Sequence, residues 1–116
     1  RHQAVRELAY AGAYDRALAV LACYDEAENA RALTYRGFIA RKTGDMDAAM
    51  TFYAAALTID PDNHAARSYR AQGYLEIGQR RLAEAELREI KARGGRETWA
   101  AFSLAQALRS NAGYAY

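Results

Sequence analysis

The side chains that most often perform chemistry in proteins are few and scattered in this sequence. The two histidines, His2 and His64, lie far apart, and neither belongs to a group with the spacing of metal ligands. The only cysteine, Cys23, has no basic residue beside it to activate a thiolate, so we interpret it as a structural thiol. Gly94-Gly95 is interpreted as a connector rather than a phosphate-binding loop. The sequence therefore predicts no catalytic centre, no metal site and no cofactor.

Charged residues are densest between residues 80 and 89, where glutamates and arginines alternate at the spacing of helical salt bridges. The residues are Arg80, Arg81, Glu84, Glu86, Arg88 and Glu89. This pattern predicts a solvated helix face. The formal net charge of +2 is too small to indicate a nucleic acid or an anionic membrane as the partner. Fourteen of the sixteen basic residues are arginine, which we interpret as the codon bias of a GC-rich, bacterial genome.

The composition favours a folded, helical chain. Hydrophobic residues make up 52% and charged residues 26%, as in globular proteins, and 28 alanines with one proline favour helix over strand. No apolar run approaches about 18 residues, so no membrane span is predicted. The lone cysteine excludes a disulfide within the chain and fits a reducing compartment. We therefore favour the cytoplasm, with the periplasm as the alternative.

The sequence is organised by small residues that recur at nearly constant spacing. Four of the eight glycines are spaced at intervals of 32, 34 and 35 residues: Gly12, Gly44, Gly78 and Gly113. An alanine stands five residues after each of the first three: Ala17, Ala49 and Ala83. Seven residues before the middle two glycines stand Gly37 and Ala71. Glycine is suited to the left-handed turn after a helix, and small residues let two antiparallel helices approach closely. We expect Gly37 and Ala71 to face Ala49 and Ala83.

The pattern predicts seven helices, at about residues 2–11, 14–26, 30–43, 46–58, 64–77, 80–92 and 98–110. Asp45 is expected to cap the fourth helix, and Asp60-Pro61 to end it, because the residue before a proline avoids helical geometry. The seventh helix carries two stripes of residues, and we expect each stripe to pack against a neighbouring helix. One stripe is Trp99, Phe102 and Gln106, and the other is Ala101, Leu104 and Leu108.

A helix–turn–helix unit of 34 residues with this pattern resembles the tetratricopeptide repeat. The unit from Ala30 to Asn63 carries the large, small, turn, small, aromatic, small and proline positions: Leu33, Gly37, Gly44, Ala49, Tyr53, Ala56 and Pro61. The next unit has Arg67 where a large apolar residue is common, and no closing proline. The resemblance implies an all-α fold, a right-handed α-solenoid of antiparallel helix pairs forming a tetratricopeptide-like superhelix. It covers residues 1–116 as one domain, with repeats at about 1–29, 30–63 and 64–95 and a partial fourth at 96–116.

The two ends of the sequence suggest a fragment. The chain begins with Arg1 rather than methionine, and Gly113 is expected to be the fourth turn, followed at once by the start of a further helix. Repeat arrays need polar caps, so an array that is cut exposes apolar surface. We therefore expect self-association through the C-terminal face.

The resemblance also places a candidate site, because the first helix of each pair lines the inner groove of such arrays. In the middle repeat the groove residues are Arg31, Thr34, Tyr35, Phe38, Arg41 and Lys42, and in the third they are Ala65, Ser68, Tyr69, Gln72 and Glu76. His2 and Arg6 would extend the groove. Phe38 is expected to be an exposed aromatic hot spot, the alternative being that it packs against a neighbouring unit. Tyr35 and Tyr69 fit either role. For Arg36 and Arg70 we expect a local ion pair.

The function that this implies is a non-catalytic protein–protein interaction scaffold that binds a peptide or helix of a partner protein in its concave groove. One subclass of these repeats binds the C-terminal carboxylate of chaperone tails through lysines and asparagines on the inner helices. The matching positions in this sequence hold other residues, namely His2, Arg6, Tyr35, Ala65 and Tyr69. One alternative is a docking or regulatory domain of a larger enzyme, or of a secretion or envelope assembly machine. Another is an RNA-binding helical repeat, against which the 34-residue spacing, Asp60-Pro61 and the low net charge argue.

Overall fold

The computed structural model of the chain describes residues 2–21 and 30–114, and the side chains of residues 3–20 and 30–110. This part of the chain is helical, with no strand. The helices are α1 (His2–Tyr10), α2 (Tyr14–Leu21), α3 (Ala30–Lys42), α4 (Met46–Ile59), α5 (His64–Glu76), α6 (Arg80–Ala92) and α7 (Trp99–Tyr114). The prediction of seven helices is confirmed, and most ends agree within one residue. The predicted end of the second helix, and Cys23, lie outside the described residues.

The chain divides into two compact units, Arg1–Asn63 and His64–Tyr116. In the first unit α1 packs against α2 and α3, and α3 packs most extensively against α4. In the second unit α5 packs against both α6 and α7, and α6 also contacts α7. The boundary between the units lies where the sequence predicts the start of the third repeat.

The turn between α3 and α4 is built by a glycine and an aspartate. Gly44 has a φ of 93°, and the Asp45 N–H donates to the carbonyl oxygen of Ala40 at 2.8 Å. The Asp45 carboxylate then accepts a hydrogen bond from the Ala48 N–H at 3.1 Å, which confirms the predicted cap. The turns at Gly12 and Gly78 use the same left-handed backbone, with φ of 81° and 78°. An L-residue with a side chain adopts this geometry only with strain.

The prediction that Gly113 forms a fourth turn of this kind is wrong. Gly113 lies inside α7, which runs to Tyr114. A glycine within a helix costs only about 1 kcal/mol relative to alanine, so its presence is a weak signal for a helix end. The left-handed glycine that follows α6 is Gly94, with a φ of 85°.

The α3–α4 pair is held at close range by a ring that lies on a glycine. Tyr53 is fully buried, and a Cβ atom placed on Gly37 would lie 2.5 Å from its Cε1 atom and 2.7 Å from its Cδ1 atom. We expected Ala49 to face Gly37, and Ala49 is fully buried, but the side chain nearest to Gly37 is that of Tyr53. The small residue therefore makes room for an aromatic ring within the same helix pair.

The core of the second unit joins α5, α6 and α7. Its buried members are Ala71, Ala83, Ile90, Ala101, Leu104 and Leu108, with Tyr74, Leu75 and Leu87 packed against them. The alanine and leucine stripe of α7 is thus buried as expected. The other stripe is not: Trp99 and Phe102 are 55% and 61% exposed, and Gln106 is exposed as well. The expectation that both stripes are packed is wrong, because the described neighbours of α7 pack against one side of it.

A buried carboxylate links α6 to α5. Glu86 accepts a hydrogen bond from Arg67 Nη1 at 2.9 Å and another from Arg70 Nε. The solvated face predicted for this stretch is therefore wrong for Glu86, although the side chains of Glu84 and Glu89 are exposed. The ion pair predicted for Arg70 is confirmed. Arg67, at a position where the repeat commonly has a large apolar residue, is buried with its charge compensated.

Replacing Gly37 by alanine tests the contact between α3 and Tyr53. Alanine favours helix over glycine by about 1 kcal/mol, so in open space this substitution would stabilise α3. Because the added methyl group meets the buried ring, we expect Gly37→Ala to lower the free energy of unfolding by about 1–3 kcal/mol. Denaturant unfolding measures the change.

The matched control for Gly37→Ala is the double variant that also carries Tyr53→Leu. The smaller side chain makes room for the methyl group, so the two substitutions should cost less together than the sum of their separate costs. An increase in stability for Gly37→Ala alone would contradict the packing described for this pair.

Replacing Glu86 by glutamine tests the buried ion pair. The substitution keeps the shape of the side chain but leaves the guanidinium groups of Arg67 and Arg70 without a carboxylate, so we expect a loss of about 3–5 kcal/mol in unfolding free energy. The control is Glu84→Gln on the same helix, whose exposed pair with Arg80 at 3.7 Å should contribute less than about 1 kcal/mol. Equal effects in thermal or denaturant unfolding would show that Glu86 is not a buried partner.

Candidate interaction surfaces

The described side chains do not assemble the groups needed for metal chemistry. Among them, no three His, Cys, Asp or Glu side chains lie close enough together to hold a metal ion. None of the described helices has the length and apolar character needed to cross a membrane. What each unit presents instead is a large aromatic ring at the surface with polar side chains beside it.

In the first unit the exposed ring is Tyr10 rather than Phe38. Phe38 is only 6% exposed, so the expectation that it projects into a groove is wrong. The ring of Tyr10 at the end of α1 stands edge-on to that of Phe38, with centroids 5.1 Å apart, and Tyr10 is 47% exposed. Because α1 packs against α3, Phe38 becomes the support and Tyr10 presents the aromatic surface.

Two cations at the end of α3 approach the ring of Phe38. The guanidinium carbon of Arg41 and the ammonium nitrogen of Lys42 each lie 5.7 Å from the ring centroid, within the range of a cation–π interaction. Arg41 is buried and Lys42 is exposed. Arg6 is exposed on α1, one helical turn before Tyr10. This end of the unit therefore combines positive charge with aromatic surface.

The remaining groove residues predicted in the first unit differ in exposure. Thr34 is buried, and its hydroxyl donates to the Ala30 carbonyl oxygen at 2.7 Å and accepts from Asn63 Nδ2 at 2.9 Å. Thr34 thus ties α3 to the end of the unit. Tyr35 is half-buried and Arg31 is exposed, so both remain accessible.

In the second unit two of the predicted residues are buried, and one of them supports an exposed tryptophan. Ser68 and Tyr69 on α5 are buried. The ring of Tyr69 stands at 70° to that of Trp99 on α7, with centroids 6.1 Å apart. Trp99 itself is 55% exposed, so its indole packs against Tyr69 and remains accessible to solvent.

Gln72 provides a polar group between α5 and α7. Its Nε2 atom lies 3.3 Å from Ser68 Oγ and 3.4 Å from Ser103 Oγ, as two long hydrogen bonds that join α5 to α7. Gln72 is half-buried, so this predicted residue is partly accessible to solvent next to α7. The arrangement positions an amide side chain between two helices.

Phe102 has a different setting on the same helix. It lines an open groove of about 360 Å³ between α6 and α7, together with Ala101 and Ala105. Its lining also includes Lys91, Arg96, Glu97 and Thr98. Phe102 is thus exposed on the side of α7 that faces this groove.

The sequence prediction missed Tyr10, Trp99, Phe102 and Ser103, although the register contained them. Tyr10 stands two residues before Gly12, as Lys42 stands two residues before Gly44. Trp99 and Phe102 follow Ala65 and Ser68 by 34 residues, one full repeat. Apolar residues at helical spacing favour a buried face, so Trp99 and Phe102 fall in a stripe that the sequence predicts to be packed. The His2 side chain lies outside the described ones.

The comparisons with known proteins agree with the helix pairs and their glycine turns. A family model described as tetratricopeptide repeat matches residues 40–111, which is more than half of the 116-residue chain. No match was found among curated proteins or among solved structures. The chain belongs to the tetratricopeptide repeat family.

Proposed function

We propose that this protein is a non-catalytic interaction scaffold that binds a peptide or helix of a partner protein. Tetratricopeptide repeats generally mediate protein–protein interaction. The observation that carries the proposal for this chain is Trp99, whose ring is more than half exposed although Tyr69 fixes it from below. We expect the right-handed superhelix and concave groove of the family, with the binding side chains on the first helix of each pair.

An exposed tryptophan that is already held in place is a favourable contact for a partner. Burying its ring removes a large apolar area from water, and little side-chain entropy is lost because the ring is already packed on one side. Tryptophan and tyrosine are enriched among the residues that dominate binding energy at interfaces. Gln72 adds a polar group between α5 and α7 that can pair with the backbone of an extended peptide.

The groove residues predicted from sequence take two roles in this proposal. Direct contacts are assigned to those with exposed or half-exposed side chains: Arg6, Arg31, Tyr35, Lys42 and Gln72. Supporting roles are assigned to the buried ones: Thr34, Phe38, Arg41, Ser68 and Tyr69. Tyr10 and Trp99 join the direct contacts. Because three repeats offer a limited contact area, we expect modest affinity, as in small transient interfaces of below about 1,200 Å².

Truncating the tryptophan tests the proposal. Peptides are first selected from a displayed random library against the whole chain and then labelled with a fluorophore. We expect Trp99→Ala to weaken binding of a selected peptide by about tenfold or more, the effect of losing a central aromatic contact. Fluorescence anisotropy gives the affinity, and thermal unfolding should change little because the ring is already largely in water.

The control is Leu82→Ala, which truncates another exposed apolar side chain of the second unit, on α6. It should leave peptide binding unchanged. The intrinsic fluorescence of the unmodified chain gives a second readout, because Trp99 is the only tryptophan and its emission should shift to the blue when a peptide covers it. Equal binding by Trp99→Ala and the unmodified chain would contradict the proposal, and salt-dependent RNA binding in place of peptide binding would favour the RNA alternative.

A further inference from the structure

We infer that the groove between α6 and α7 binds an amphipathic helix of a partner protein whose C-terminal end is acidic. We use the name α6–α7 groove for the open groove of about 360 Å³ that Phe102 lines. The inference rests on the proposed function, since it names the chemical class of a partner segment and the place where it binds. It is carried by the small residue in the groove, by the exposed ring beside it and by the surrounding charges.

Ala105 occupies the position at which α3 and α5 each receive the next helix of the chain. It stands one repeat of 34 residues after Ala71 and two repeats after Gly37. Gly37 lies under the ring of Tyr53 on α4, and Ala71 is fully buried in a cluster that Leu87 on α6 packs against. Ala105 instead is half-buried and lines the groove. The surface of α7 at this position therefore corresponds to the one on which α3 and α5 bind a helix.

The lining of the α6–α7 groove favours a helix with a large apolar side chain. Phe102 is 61% exposed, and covering its ring removes a large apolar area from water. A small residue next to that ring leaves space for one large side chain, as Gly37 does for Tyr53. Amphipathic helices bind grooves of this kind through apolar residues one helical turn apart.

Positive charge is concentrated in the second unit. Residues 64–116 contain nine Lys and Arg against five Asp and Glu, whereas residues 1–63 contain seven against nine. Four of the nine cations pair with glutamates of the same unit: Arg67, Arg70, Arg80 and Arg93. The other five make no ion pair with any residue that the structure describes: Arg81, Arg88, Lys91, Arg96 and Arg109. A surplus of this kind attracts carboxylates.

Two of these unpaired cations line the α6–α7 groove. Lys91 lies in the last turn of α6 and Arg96 in the connection to α7, and both are exposed. Glu97 lines the groove as well, so the three side chains leave one positive charge in excess, and Arg88 stands one helical turn before Lys91. The cations thus lie at the end of the groove where α7 begins.

The repeat indicates the orientation of the bound helix. The short turn at Gly44 makes α3 and α4 antiparallel, and a helix that takes the corresponding place on α7 has its C-terminal end near Lys91 and Arg96. Carboxylates in the last turn of that helix can pair with these cations, and the negative end of its dipole faces them too. The partner helix is therefore acidic at its C-terminal end and apolar along one side.

The test compares two helical peptides of about 18 residues that have the same composition. Both carry a tyrosine between two alanines at the spacing of Ala49, Tyr53 and Ala56 in α4, because Tyr53 covers Gly37 in this chain. The C-acidic peptide has its glutamates in the last turn, and the N-acidic peptide has them in the first. Glutamates in the first turn stabilise an isolated helix more, so tighter binding of the C-acidic peptide is not an effect of helix stability.

We expect the whole chain to bind the C-acidic peptide about fivefold more tightly than the N-acidic one, as fluorescence anisotropy measures. Lys91→Glu should remove this preference, and a peptide with lysines in its last turn should bind Lys91→Glu more tightly than the unmodified chain. Ala105→Leu fills the groove and should weaken binding of the C-acidic peptide by about tenfold. The control is Arg81→Glu, which makes the same change of charge at an exposed position in the first turn of α6 and should leave the preference unchanged. Circular dichroism checks that every variant keeps its helices.

Three results would overturn the inference while leaving the proposed function in place. They are equal binding of the two peptides, a preference that Arg81→Glu reduces as much as Lys91→Glu does, and binding that Ala105→Leu does not change. A dimer of the chain that Ala105→Leu abolishes would assign the groove to a second copy instead. If neither these peptides nor any selected from a random library bind, whereas single-stranded RNA does, both the inference and the proposed peptide-binding function are wrong.

Discussion

The packing of the first complete helix pair depends on a contact that only glycine permits. Gly37 on α3 lies directly under the buried ring of Tyr53 on α4, at a distance that leaves no room for a Cβ atom. The second complete pair meets the same constraint with different residues. One repeat later, Ala71 takes the place of the glycine and Leu87 that of the tyrosine, and both belong to one packed cluster. A larger residue on one helix is thus accompanied by a smaller one on the other.

A second pair of positions between the paired helices also differs in both members from one helix pair to the next. In the first pair the positions one repeat before Arg67 and Glu86 hold Leu33 and Phe52, both apolar. The second pair therefore exchanges two apolar residues for an arginine and a glutamate that compensate each other in the interior. Arg67 without Glu86 would be a buried charge that lacks this carboxylate, which costs several kcal/mol, whereas Glu86 without Arg67 would keep only Arg70. The exchange keeps the helix pair and alters only how it is held.

The sequence predicted the helices well because their signals are local. Gly44 and Asp45 determine the turn through backbone geometry and one hydrogen bond, and neither depends on distant residues. The candidate site was predicted less well. The register predicted that Phe38 is exposed in a groove, but Phe38 is buried and its ring contacts Tyr10, which approaches from α1. Likewise, nothing near Glu86 in sequence reveals that Arg67 reaches it from another helix. Periodicity identifies a face and leaves open which neighbour covers it.

This division between local and tertiary signals also explains how the interaction surfaces are built. Buried side chains at the predicted groove positions hold the exposed ones: Phe38 supports Tyr10 and Lys42 in the first unit, and Tyr69 supports Trp99 in the second. Because the supports are shared between helices, the exposed groups can differ in chemistry without a change in the repeat. The first unit presents a lysine and a phenol ring that both approach Phe38, and the second presents an indole that packs against Tyr69. The fold supplies the positions, and the residues exposed at each of them determine the chemistry that each unit presents at its surface.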